Sequence, residues 1–116
     1  MPLTREEILA KRELPRAVVP VPEWGGEVIV RALTGRERDD FEASLIGAKK
    51  NERNLSNLRA RFVAACVIDE AGKAMFDVGD VLPLGELSAS ALDRVFTVGR
   101  ELSGLTERDV DDLVKH

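Results

Sequence analysis

The chain is predicted to fold as a mostly helical α+β domain, an N-terminal β-hairpin packed with about four helices. Three observations carry that expectation. Residues 16–33 hold two runs of β-branched residues on either side of a glycine pair. Residues 34–116 hold Thr and Ser helix caps, followed by apolar residues at spacings of three and four. And 116 residues, 44% hydrophobic and 33% charged, suit one globular domain. Residues 1–116 are therefore read as a single domain: a short N-terminal helix over 1–15, the hairpin over 16–33 and a helical region over 34–116. With four Phe, one Trp and no Tyr, the core must be built from Leu, Val, Ile and Ala.

Thr4-Arg-Glu-Glu7 fits a capping box, in which the Thr hydroxyl accepts from the amide near Glu7 and Glu7 reaches back. A short helix to about Glu13 should follow, ended by Pro15. It is too short to stand alone and needs a surface to dock on. Arg16–Val21 and Glu27–Leu33 are the hairpin strands, joined through Pro22-Glu-Trp-Gly-Gly26. The Gly25-Gly26 pair is expected to supply positive φ angles at the turn. Pro20 has no amide proton, which makes its strand an edge strand or irregular there. Trp24 at the turn is either an anchor for a partner or a cap folded over the hairpin, the second being preferred.

Thr34-Gly-Arg-Glu37 is a second capping box, opening a helix to about Leu45 or Ile46, with Phe41, Leu45 and Ile46 on its apolar side. The polar run 47–54 reads as a loop. Residues 55–68 are the expected core helix, carrying Leu55, Leu58, Phe62, Ala65 and Cys66 on one stripe, widened by Val63, Val67 and Ile68. Asp69-Glu-Ala-Gly72 turns the chain. Ala74–Phe76 returns either as a short strand beside Val67-Ile68 or as a tether with Phe76 plugged into the core. Val78–Leu82 is expected to make no more than a helical turn, broken by Pro83 and Gly85. Ser88 caps a helix over about 89–102, with Leu92, Val95, Phe96 and Leu102 on one side. Gly99 falls on that side and permits close helix approach. Ser103-Gly104 ends it. Thr106-Glu-Arg-Asp109 resembles a third capping box with Asp in place of Glu, opening a last helix with Val110, Leu113 and Val114.

No chemistry of bond making is visible. The one histidine, His116, is the last residue, and the one cysteine, Cys66, sits in an apolar run where a core role is expected. Adjacent carboxylates on a helix diverge, so the many acidic pairs do not read as acid/base dyads. Asp77-x-x-Asp80 lacks the dense oxygen spacing of a calcium loop and reads as a cap. Catalytic, metal and cofactor sites are each read as none. No run reaches the ~18–20 apolar residues that span a bilayer, so no membrane association is expected. The net charge of −4 is uneven: +2 over residues 1–68 and −6 over residues 69–116. An acidic C-terminal half disfavours nucleic acid and favours protein partners. A helix-turn-helix reading of 89–115 ranks well below a protein-binding one, because the last helix offers mainly acceptors.

The order of these features resembles the tail assembly chaperones of long-tailed bacteriophages and prophages. The resemblance rests on Thr-Arg-Glu-Glu-Ile-Leu at 4–9, Val-Pro-Val-Pro-Glu-Trp-Gly-Gly-Glu-Val-Ile-Val-Arg at 19–31, and Leu-Thr-Gly-Arg-Glu-Arg-Asp-Asp-Phe-Glu at 33–42. It continues through Asn57–Phe76, Leu84–Val95 and Glu101–Thr106. Its specificity lies in order and spacing. It implies a non-enzymatic helper that binds the helical tape measure protein while the tail tube assembles. Further implied partners are the tube protein, a longer frameshifted form of the chain, and copies of itself. The host cytoplasm is the implied location, with absence from the mature virion. Candidate contacts away from the core helix are Trp24, Phe96, Leu102, Leu113 and Val114. The alternative is a small phage or bacterial nucleic-acid-binding regulator using the basic stretch Lys49–Arg61. An enzyme subunit without its own site and a structural tail protein are further readings.

Overall fold

The computed structural model describes residues 1–46 and 55–115, with the side chains of residues 107 and 113–115 outside that description. Its architecture is α+β and mostly helical. Helix α1 (Arg5–Leu9) precedes strands β1 (Arg16–Val21) and β2 (Gly26–Arg31), which a 3₁₀ turn at Pro22–Trp24 joins. Helices α2 (Gly35–Ser44) and α3 (Leu58–Cys66) follow, and α3 runs directly into β3 (Val67–Ile68). A 3₁₀ turn at Val78–Asp80, α4 (Val81–Gly85), α5 (Ala89–Leu102) and α6 (Glu107–Lys115) complete the order.

The sheet is antiparallel in the order β1-β2-β3, so β1 is an edge strand. Val19 lies opposite Val28, Ala17 opposite Val30, and Val30 in turn opposite Val67. Val19, Val21 and Val30 are buried, which puts one sheet face into the core as strand alternation requires. Helix α5 lies across β1 and β2 and also packs on α3. Between them sit Phe41, Phe62 and Phe96, with ring centroids 5.1 Å and 5.0 Å apart in edge-to-face pairs. Such pairs add about 0.5–1.5 kcal/mol each beyond their area burial. The Leu33 amide donates to Ser103 Oγ at 2.9 Å, tying the hairpin exit to the end of α5.

The helix caps expected at Thr4, Thr34, Ser88 and Thr106 are all formed. Gly104 takes positive φ after α5. Phe76 packs half-buried against the core, and Ala74 bridges to Ile68.

Several boundaries differ from expectation. α1 ends at Leu9 rather than near Glu13, because no residue of it is buried and nothing holds a further turn. Only Gly25 of the glycine pair has positive φ, since the 3₁₀ turn makes the reversal. Ile46 is exposed rather than packed. Leu55 precedes α3 and is exposed, and α3 begins after Asn57. Val67 and Ile68 are strand, not helix: Val67 turns extended and both residues pair with Val30 and Ile29. Pro83 does not break its segment. It sits in the first turn of α4, where no intrahelical donor is needed. The run 47–54 lies outside the described residues, as does His116. Among the described residues no helix is long and apolar enough to cross a membrane.

Candidate apolar binding groove

Helix α3 is apolar apart from Arg59 and Arg61. Its Phe62, Val63 and Cys66 face the aromatic core, while Ala60 and Ala64 turn to a second, smaller cluster with Leu84. Small side chains on that second side leave space. A groove of about 330 Å³ lies there, with Ala64 and Ala65 as its floor. α2 supplies one wall through Glu37, Asp40, Phe41 and Ser44. The segment after β3 supplies the other through Ala74, Phe76, Asp77, Val78 and Val81. The volume is at the low end of the ~300–1,000 Å³ typical of ligand clefts.

The rim continues into exposed apolar side chains. Val78 is 90% and Leu82 71% exposed, with Met75 about half exposed. Local chemistry explains why this wall stands out. Asp77 Oδ1 accepts from the Gly79 amide at 2.8 Å, and the Asp77 amide donates to Asp80 Oδ2 at 3.0 Å. That reciprocal cap closes a turn whose outer residue is Val78. The expected cap role of Asp77-x-x-Asp80 is thus the one the structure has. Among the described residues no group of three or more His, Cys, Asp or Glu gathers as a metal site.

The polar groups of the groove are held firmly. Arg61 Nη1 donates to the Ser44 carbonyl and to Ser44 Oγ, both at 2.7 Å, and burial lowers the Arg61 pKa. Glu37 Oε1 and Oε2 accept from Arg31 at 2.9 Å each, and Oε1 also accepts from the Thr34 amide at 2.8 Å. Burial works to raise the Glu37 carboxyl, but Arg31 and Thr34 outweigh it and hold it below its ordinary value. Asp40 and Asp77 remain exposed at the rim.

Of the sequence-predicted contact residues, Trp24, Phe96 and Leu102 do not line this groove. Phe96 is a correction: it is only 7% exposed, packed edge-on against Phe62 with the Arg59 guanidinium 5.6 Å from its ring centroid. Its place on the inner side of α5 takes it out of reach of a partner. Leu102 is half-buried against the same core. Trp24 is half-buried as well, folded back on the core as a cap, and its Nε1 is buried with no acceptor among the described residues. Leu113 and Val114 lie on α6, and their side chains fall outside the described residues. Sequence reasoning missed the groove because its floor is alanine, which carries no signal beyond helix propensity.

The basic stretch of the alternative reading is partly accounted for. Residues 49–54 lie outside the description, Arg59 pairs with Asp93 at 2.9 Å, and Arg61 is turned onto Ser44. Cys66 is fully buried, and burial pushes its thiol up to about 12, so it serves packing.

No protein-family model matches the chain, and no curated protein sequence does. Among solved structures the chain is similar to the bacteriophage HK97 tail assembly chaperone. The two superpose with a TM-score of 0.58 at 21% identity, over 76% of this chain and 84% of that one. The chain therefore shares the fold of that chaperone.

Proposed function

We propose that a chain with this fold serves as a phage tail assembly chaperone, binding another polypeptide without making or breaking bonds. The fold likeness is the observation that carries this reading. An exposed apolar groove supports it, because a chaperone needs a surface that covers apolar segments of its client. The client is the tape measure protein, held soluble while the tail tube assembles around it in the host cytoplasm. The tube protein, a longer frameshifted form and copies of the same chain complete the partner set. The chaperone departs before the virion is finished. The acidic C-terminal half contributes by keeping the complex dispersed.

Co-expression tests this directly. The tape measure protein encoded beside this chain is expressed with and without it, and the soluble fraction of each lysate is quantified. The soluble fraction should rise several-fold with the chaperone. An unchanged fraction overturns the proposal.

A further inference from the structure

We infer that the groove between α2, α3 and residues 74–81 takes the apolar face of an amphipathic helix whose apolar stripe is bordered by Lys or Arg on both sides. This rests on the reading that the chain works by covering another polypeptide, and it names the chemistry of the segment covered.

The groove's shape favours a helix. Its walls are α2 on one side and residues 74–81 on the other, with α3 beneath. The second wall meets the sheet only at Ala74, through a single bridge to Ile68, and then leaves as a 3₁₀ turn, so it offers no strand-length row of amides and carbonyls. An extended peptide laid on Ala64, Ala65 and Phe76 would leave its own backbone groups unpaired against apolar carbon, which is costly. A helix satisfies its backbone internally and presents only side chains. The alanine floor allows close approach, while Phe41 and Phe76 offer aromatic edges.

The groove's charge selects the flanks. Three carboxylates and one guanidinium line it. Glu37 is committed to Arg31 and Arg61 to Ser44. Asp40 on α2 and Asp77 across the groove are left exposed, one on each wall. A helix seated between them has its apolar stripe on Ala65 and Val78 and its two flanks beside carboxylates. Cations there are attracted, and acidic flanks are repelled.

Two synthetic peptides of about 18 residues, long enough to be helical, test this with the full chain. Both carry the same Leu and Ala stripe; one has Lys on both flanks, the other Glu. Binding is read by calorimetry and by amide chemical shifts. The Lys peptide should bind at low salt and shift the amides of Ala65, Phe76 and Val78. The Glu peptide should bind at least tenfold more weakly, and added salt should shrink the gap. Val78→Asp should weaken the Lys peptide at least tenfold with the thermal melt unchanged, and Asp40→Lys should narrow its preference. Equal binding of the two peptides overturns the inference, as do shifts confined to another face. So does a groove that takes neither peptide while Ile8→Asp with Leu9→Asp abolishes self-association, which would make the N-terminal helix of a second copy its occupant. If the tape measure protein is solubilised yet neither peptide enters the groove, the proposed function stands and this inference falls. If the Lys peptide binds as expected and the tape measure protein stays insoluble, the inference stands and that client is wrong.

Discussion

Gly99 shows how much one residue decides. A Cβ placed there would lie 2.9 Å from Cys66 Sγ and 2.9 Å from Phe62 Cε1, both on α3. Both neighbours are fully buried and have nowhere to go. Gly99→Ala should therefore destabilise the fold by about 1–3 kcal/mol through overpacking, although alanine is the better helix former. Urea denaturation gives the answer, and a gain in stability would mean that α3 and α5 sit further apart than they do here. The position of Gly99 on the apolar side of its helix was legible in the sequence. The role of Phe96 was not: spacing places it on the apolar side, but spacing does not say whether that side meets the core or a partner. For Trp24 the preferred reading as a folded-back cap matches its half-buried place, but what it packs on was not legible, since that depends on α5 passing beneath the hairpin.

At the scale of elements, the caps were the most legible signal. Ser or Thr followed three residues later by an acidic residue places a helix start almost to the residue, because the chemistry is local. The same box does different work at two sites. At Thr34 it starts α2, whose Phe41 is in the core and whose Glu37 also holds Arg31. At Thr4 it starts α1, which buries nothing. Thr34→Ala should cost about 1 kcal/mol of global stability. Thr4→Ala should leave the denaturation midpoint unchanged, because opening α1 exposes no core. Equal losses at the two sites would show that α1 is packed on the domain in solution. Element ends set by neighbours were not legible. Val67 and Ile68 continue the apolar run of α3, and only pairing with β2 makes them a strand.

For the molecule as a whole, the hairpin and the helices share one core. α5 lies on β1 and β2, Arg94 of α5 donates to Glu23 at 2.9 Å, and β3 joins the sheet directly from α3. Trp24 reports on the hairpin side, and far-ultraviolet circular dichroism reports on the helices. Their unfolding midpoints in denaturant should coincide, as for one cooperative domain. Two separated midpoints would divide the chain near residue 33.

The sequence by itself determined the fold class, the hairpin and the helix starts marked by a Ser or Thr cap. Each of these follows from interactions within a few residues or from side-chain inventory. The tertiary structure alone decided where α3 ends, that Phe96 is spent inside, and that alanines of α3 floor an open groove walled by Phe41 and Phe76. Those outcomes depend on which residues distant in the chain are brought together, and periodicity along one segment carries no record of what packs against it.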